Sequence, residues 1–138
     1  MVVDKEIIIQ NLKKYFLKQT EVIAVYIFGS FNRGTFNNSS DIDVALMLNE
    51  DYDKFAAFNL KLRVKEELEK LLTYEVDVII FSQVNLRLQH QILKGELILG
   101  KNNIKRIRRE QRAIDQYLDM RYFYDIYEDK LGKGFYDG

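Results

Sequence analysis

Three aspartates and one glycine–serine pair are the residues of this chain whose types and spacing could do chemistry. Gly29-Ser30 follows a wholly apolar run, and after ten intervening residues Asp41-Ile42-Asp43 opens the next one. On a strand the side chains alternate with a period of two, so Asp41 and Asp43 would share a face and offer the hard oxygen ligands that magnesium prefers. Asp77 lies in a later run with the same alternation and would complete a three-carboxylate cluster if the two strands are neighbours. Three carboxylates make two metals feasible, held roughly 3.5–4 Å apart, one to orient a triphosphate and one to activate an acceptor hydroxyl. A glycine that ends a buried strand lets the backbone turn sharply towards a ligand, and the amides after it, with the Ser30 hydroxyl, can donate to phosphate oxygens. Arg33 would add positive charge, and Gly34-Thr35 would close the turn. The reaction expected of such a group is attack on the α-phosphate of a nucleoside triphosphate with pyrophosphate leaving, most of the rate coming from positioning and charge neutralisation.

Singly, these residues also have ordinary readings. An Asp-x-Asp at a strand start is often solvated turn chemistry, Arg33 fits an exposed arginine, and Thr35 and Ser40 fit hydrogen-bond groups that stabilise a loop. His90 stands among Arg87, Gln89 and Gln91 and reads as solvated surface.

Several elements must position the carboxylates. Asp4 is a candidate cap for a helix to about Lys18, with Ile8, Leu12, Tyr15 and Phe16 as its apolar stripe. Val22 to Phe28 has no polar alternation and reads as a central strand covered on both faces. Asp41 to Leu48 puts Ile42, Val44, Leu46 and Leu48 on one face and the two aspartates on the other. A helix follows from about Asp51 to Leu72, with Leu60, Val64, Leu68 and Leu71 inward. Thr73 to Phe81 is a third strand, Ser82 a candidate cap for a short helix to about Lys94, and Glu96 to Leu99 a short edge strand. From Asn103 the spacing of Ile104, Ile107, Ile114, Tyr117, Leu118 and Tyr124 predicts a helix of roughly 25 residues. Its charge reverses along its length. Lys101 to Arg112 holds six basic residues and one acidic, and residues 113–138 hold six acidic, three basic and seven aromatic. The basic run reads as a solvated helix face, with partner or RNA contact as the alternative.

With 138 residues the chain fits one ordinary core and leaves no room for a separate substrate domain. Lysine and arginine together number 21, as do aspartate and glutamate, so direct nucleic-acid binding is not expected. No cysteine is present, which excludes disulfides and thiolate zinc sites and suits a reducing cytosol. The longest apolar run is far short of a bilayer span, and a soluble, cytoplasmic protein with no membrane contact is expected.

Gly29-Ser30, the ten-residue gap, Asp41-x-Asp43, and then Arg33-Gly34-Thr35 with Ser40 inside the gap resemble the signature of the DNA polymerase β-like nucleotidyltransferases, in particular their minimal nucleotidyltransferase branch. The resemblance spans about residues 5–100, with Asp77 where the family places its third carboxylate. It implies an α+β fold, a small mixed β-sheet with helices packed on one side, here followed by a long C-terminal helix. The domain would occupy residues 1–100 and a helical tail residues 101–138, packed on the domain or on a partner. It further implies Asp41, Asp43 and Asp77 as catalytic, metal-holding residues, Gly29, Ser30, Arg33 and Ser40 at the nucleotide, two Mg2+ ions, and ATP as substrate. The expected partner is a HEPN-domain ribonuclease toxin in a hetero-oligomer, neutralised by transfer of AMP to one of its tyrosines. Two alternatives remain open: an antitoxin that inhibits by binding alone, and a nucleotidyltransferase that modifies an antibiotic or an RNA end.

Overall fold

A computed structural model describes residues 5–29 and 41–136, with side chains as far as residue 130. Helix α1 (Lys5–Leu17) leads into β1 (Val22–Phe28), and β2 (Ile42–Leu48) follows. Helix α2 (Lys54–Leu72) connects β2 to β3 (Val76–Ile80), and a single 3-10 turn (Phe81–Gln83) precedes α3 (Leu86–Leu93). Strand β4 (Glu96–Gly100) and the long α4 (Asn103–Tyr136) complete the chain. Asp4, the expected cap of α1, lies outside the described residues.

The sheet runs in the order β3-β2-β1-β4. Strand β1 is antiparallel to both β2 and β4, while β2 and β3 are parallel, as the intervening helix requires. The unbroken apolar run of β1 is explained by its place inside the sheet, where six of its seven residues are buried.

One face carries α1 and α2. Ile8, Leu12 and Phe16 of α1 and Ala57, Leu60, Val64, Leu68 and Leu72 of α2 meet Val25, Ile27, Ile42, Val44, Val76 and Val78 in the main core. The inward position at the end of α2 is Leu72, whereas Leu71, expected there, is exposed. Asp53 caps α2 by accepting from the Ala56 amide at 2.8 Å, and Thr73 ends it in the left-handed region, at φ 61°. The expected third strand therefore begins three residues later than Thr73.

The opposite face is covered in part. Ile92 of α3 and Ala113 of α4 pack with Ile23, Ala24, Tyr26, Ala45, Met47 and Phe81. Asn85, not Ser82, caps α3: its Oδ1 accepts from the Leu88 amide at 2.9 Å, while Ser82 is taken up in the 3-10 turn.

Helix α4 is longer than expected and seats on the domain by an unexpected side. Ile104, Ile107 and Leu118, read as its apolar stripe, are exposed. The basic run, read as solvated, is so only in part: Arg108 and Arg112 are exposed, whereas Lys105 and Arg109 donate to the carbonyls of Asn49 and Leu48 at the end of β2, and Lys101 donates to Gln19 O at 2.7 Å. Glu110 accepts from the Tyr26 hydroxyl at 2.6 Å and from Arg106 at 2.9 Å; burial, then the bond to Glu110 and its charge, push the Tyr26 phenol well above its usual range, with Arg106 opposing. At Leu48 and Asn49 the cations supply donors to carbonyls at the end of a strand. Among the described residues no helix is long and apolar enough to cross a membrane.

Candidate active site at the open end of the sheet

The sheet face that α3 and α4 cover at one end carries the carboxylates at the other. Asp43 is the second residue of β2, and its register partners are Phe28 on β1 and Asp77 on β3. Residues in register on parallel strands point to the same side, so Asp43 and Asp77 stand side by side across a strand spacing of about 4.8 Å. The condition that would make Asp77 part of the cluster, adjacency of its strand to that of Asp43, is met. Asp41 immediately precedes β2, two residues from Asp43, and is exposed like Asp77, whereas Asp43 is half-buried.

Gly29 closes this group from the β1 side. Its φ is +74°, the left-handed region that only glycine adopts freely. A Cβ built on it would overlap Asp43 Oδ2 and lie 3.2 Å from Asp43 Cγ. The glycine therefore provides both the turn out of β1 and the space in which the Asp43 carboxylate sits. Ser30, Arg33, Thr35 and Ser40 lie outside the described residues.

Three hard carboxylates at one open end suit a magnesium ion better than a soft metal. Among the described residues no three of them converge as a finished metal cage. One described cation, on α2, feels these carboxylates. Lys65 Nζ donates to Glu69 Oε2 and to the Val76 carbonyl, and its pKa is raised by the Glu69 hydrogen bond, opposed by burial, with Asp41 and Asp77 adding to the rise. Neither Lys65 nor Glu69 was suggested by the sequence, where an i,i+4 pair of opposite charges reads as ordinary helix surface.

His90 is not the solvated residue expected. Its ring stacks on Tyr117 of α4 at 3.9 Å between centroids and 9° between planes, and its pKa is lowered by burial and by Lys94 and Arg121. It belongs to the α3–α4 contact, away from the carboxylates. A hollow of about 190 Å3 among Met47, Phe81, Gln89, Arg109 and Ala113 lies at the covered end of the same face. Its Arg109 is engaged with the Leu48 carbonyl, and no site carboxylate lines it.

Residues 10–104 match the family model described as polymerase beta, nucleotidyltransferase. The chain belongs to this nucleotidyltransferase family. A relative in Methanocaldococcus jannaschii, provisionally named a protein adenylyltransferase, is 30% identical over 91 residues, covering 66% of this chain and 89% of the relative. Among solved structures, a chain of a toxin–antitoxin assembly with AMP-PNP superposes with a TM-score of 0.67 at 21% identity, covering 94% of this chain and 98% of that one. A chain of the complex between a tri-AMPylated Shewanella oneidensis HEPN toxin and its MNT antitoxin gives 0.67 at 17% identity, covering 93% and 98%. At these identities the likeness establishes the fold, and its extent takes in the long C-terminal helix as well as the nucleotidyltransferase core.

Proposed function

We propose that this protein transfers AMP from ATP to a tyrosine of a HEPN-type toxin and thereby acts as the toxin's antitoxin. The observation that carries the reading is the pairing of Asp43 with Asp77 across β2 and β3, beside the space left by Gly29, in a nucleotidyltransferase fold. The relative named as a protein adenylyltransferase supports the acceptor class, and the toxin–antitoxin assemblies that share the whole-chain fold support the partner.

In this reading Asp41, Asp43 and Asp77 hold Mg2+, two ions in the full complement. When bound, the metal neutralises the charge of the triphosphate and activates the acceptor hydroxyl. The chain's own residues do the positioning. Gly29 lets the backbone approach the phosphates, and Ser30, Arg33 and Ser40 are assigned to the nucleotide. The acceptor oxygen bonds to the α-phosphorus as the bond to the bridging oxygen breaks, and pyrophosphate leaves.

The test combines the purified protein, labelled ATP, Mg2+ and the cognate HEPN toxin. Label on the toxin, lost in Asp41→Ala, is expected; absence of label with Asp41→Ala still fully neutralising would sink the catalytic reading. A second reading, inhibition by binding alone, is favoured by one observation. Leu118, Tyr122, Phe123 and Tyr127 are exposed on α4, and exposed tyrosines are of the kind that anchors protein interfaces.

A further inference from the structure

Strand β3 lies at the edge of the sheet, where backbone groups on the outer side lack a partner strand. Its inner side is bonded to β2, with the Ile42 amide donating to Glu75 O at 2.9 Å. By the alternation of a strand, Val76 directs its N–H and C=O outward. Both are taken by one ion pair on α2. Glu69 Oε2 accepts from the Val76 amide at 3.0 Å, Lys65 Nζ donates to the Val76 carbonyl at 2.7 Å, and Lys65 donates to Glu69 Oε2 at 2.8 Å. Three hydrogen bonds thus close a ring around the backbone of a single edge residue. The next residue is Asp77.

Support of α2 alone does not account for this pair. Lysine four residues before glutamate is the less favourable order on a helix, and such surface pairs contribute only about 0.2–0.5 kcal/mol. What the ring does is substitute for the missing neighbour strand at one position, fixing the backbone from which the Asp77 side chain projects beside Asp43. The pair is also placed to feel the site, since Asp41 and Asp77 both act electrostatically on Lys65.

Resting on the nucleotidyltransferase reading above, we propose that Lys65 and Glu69 are positioning residues that clamp the β3 edge so that Asp77 stays in cation-binding geometry beside Asp43. They touch neither nucleotide nor acceptor. Their effect reaches the reaction through the Val76 backbone.

The test measures two quantities on the full chain: hydrogen exchange at the Val76 amide, and Mn2+ binding in the presence of AMP-PNP. Glu69→Ala and Glu69→Gln remove the same charge, but only the glutamine keeps an acceptor for the Val76 amide. Glu69→Ala is expected to lose protection at Val76 and to bind Mn2+ about tenfold more weakly, the lower end of what loss of a ligand-supporting group costs, with Glu69→Gln within about twofold of wild type. Equal Mn2+ affinity in the two variants, or lost protection with unchanged affinity, overturns the proposal. Should Glu69→Ala not fold, Lys65→Met against Lys65→Arg makes the same comparison for the Val76 carbonyl. Wild-type protein that shows this binding pattern yet transfers no nucleotide to any HEPN toxin would defeat the functional reading and leave the clamp standing.

Discussion

Gly29→Ala separates the cost of folding from the cost of chemistry at the site. A methyl group at this position meets two penalties of different kinds. The backbone at φ +74° costs an L-residue about 1–2 kcal/mol. The overlap is with Asp43 Oδ2, the end of a short side chain that can swing aside, and forcing it off its rotamer adds about 0.5–1.5 kcal/mol. The sum, about 2–3 kcal/mol, lowers the melting temperature by roughly 6–12 °C for a chain of this size. The rate should fall far more, because the carboxylate that swings is one assigned to the metal, and a misplacement of about 1 Å costs on the order of 10²-fold.

A double-mutant cycle with Asp43→Ala isolates the contact. In that background Oδ2 and Cγ are gone, and the closest of the Asp43 atoms that remain is its Cβ, at 3.6 Å, an ordinary contact. The Gly29→Ala penalty should then shrink to its backbone part, giving a coupling of about 1 kcal/mol, large enough for urea denaturation of the four proteins to resolve. Equal penalties in both backgrounds would show that the Asp43 carboxylate does not occupy the glycine's space. A destabilised Gly29→Ala that labels the toxin at the wild-type rate would show that Asp43 is not needed where it stands.

Two further outcomes follow from the α3–α4 side. A chain ending at Gly100 loses Ala113 from the second cluster and uncovers the apolar side chains it packs with, Ile23, Met47 and Phe81 among them, so it should melt well below the full chain. A chain ending at Arg121 keeps this packing, so its thermal melt, followed by circular dichroism, should stay close to that of the full chain; equal melts for the Gly100 and full-length chains would refute this account of α4. His90 has a pKa lowered from 6.5 by burial, Lys94 and Arg121, so the unfolded chain takes up its proton at a higher pH than the folded one. Stability should therefore fall as pH drops below about 6.5, more steeply in wild type than in His90→Gln, and parallel pH profiles in urea titrations would count against it.

The carboxylate part of the candidate site could be read from local rules. Period-two alternation put Asp41 with Asp43 and put Asp77 on a face of the same kind, and the apolar run of β1 marked an inner strand. The strand order itself could only be stated as a condition, since nothing in the residues says that β3 lies next to β2. The reading of α4 had its start at Asn103 but not all of its inward face, for a definite reason. Ile104, Ile107 and Leu118 have helical spacing, but the surface they would have to meet is the end of β2, where the carbonyls of Leu48 and Asn49 call for donors, and Lys105 and Arg109 supply them. Charge was satisfied before apolar area. Ser82 and Asn85 are both good caps, and the choice between them was decided by a 3-10 turn that sequence pattern does not announce. Lys65 and Glu69 were invisible for the same reason as the strand order: their partner, Val76, is an edge backbone, and edges exist only in the assembled sheet.

The division of one sheet face between two tasks bears on how an acceptor is chosen. At the end bearing Tyr26, Met47 and Phe81 the face is closed by α3 and α4. At the other end Asp41 and Asp77 are exposed. A seven-residue strand spans about 23 Å at 3.3 Å per residue, whereas the 34 residues of α4 run about 51 Å at 1.5 Å per residue. The helix is therefore far longer than the strand, and beyond Tyr117, which stacks on His90 of α3, it leaves Tyr122, Phe123 and Tyr127 exposed among Asp119, Asp125, Glu128 and Asp129. An acceptor held on this length would meet the carboxylates as a tethered reactant, with the entropic advantage of an intramolecular reaction and without a pocket shaped around its hydroxyl. Selectivity would then reside in docking and rate in the carboxylates. On that division the two readings proposed above, holding a partner and modifying it, would be stages of one process.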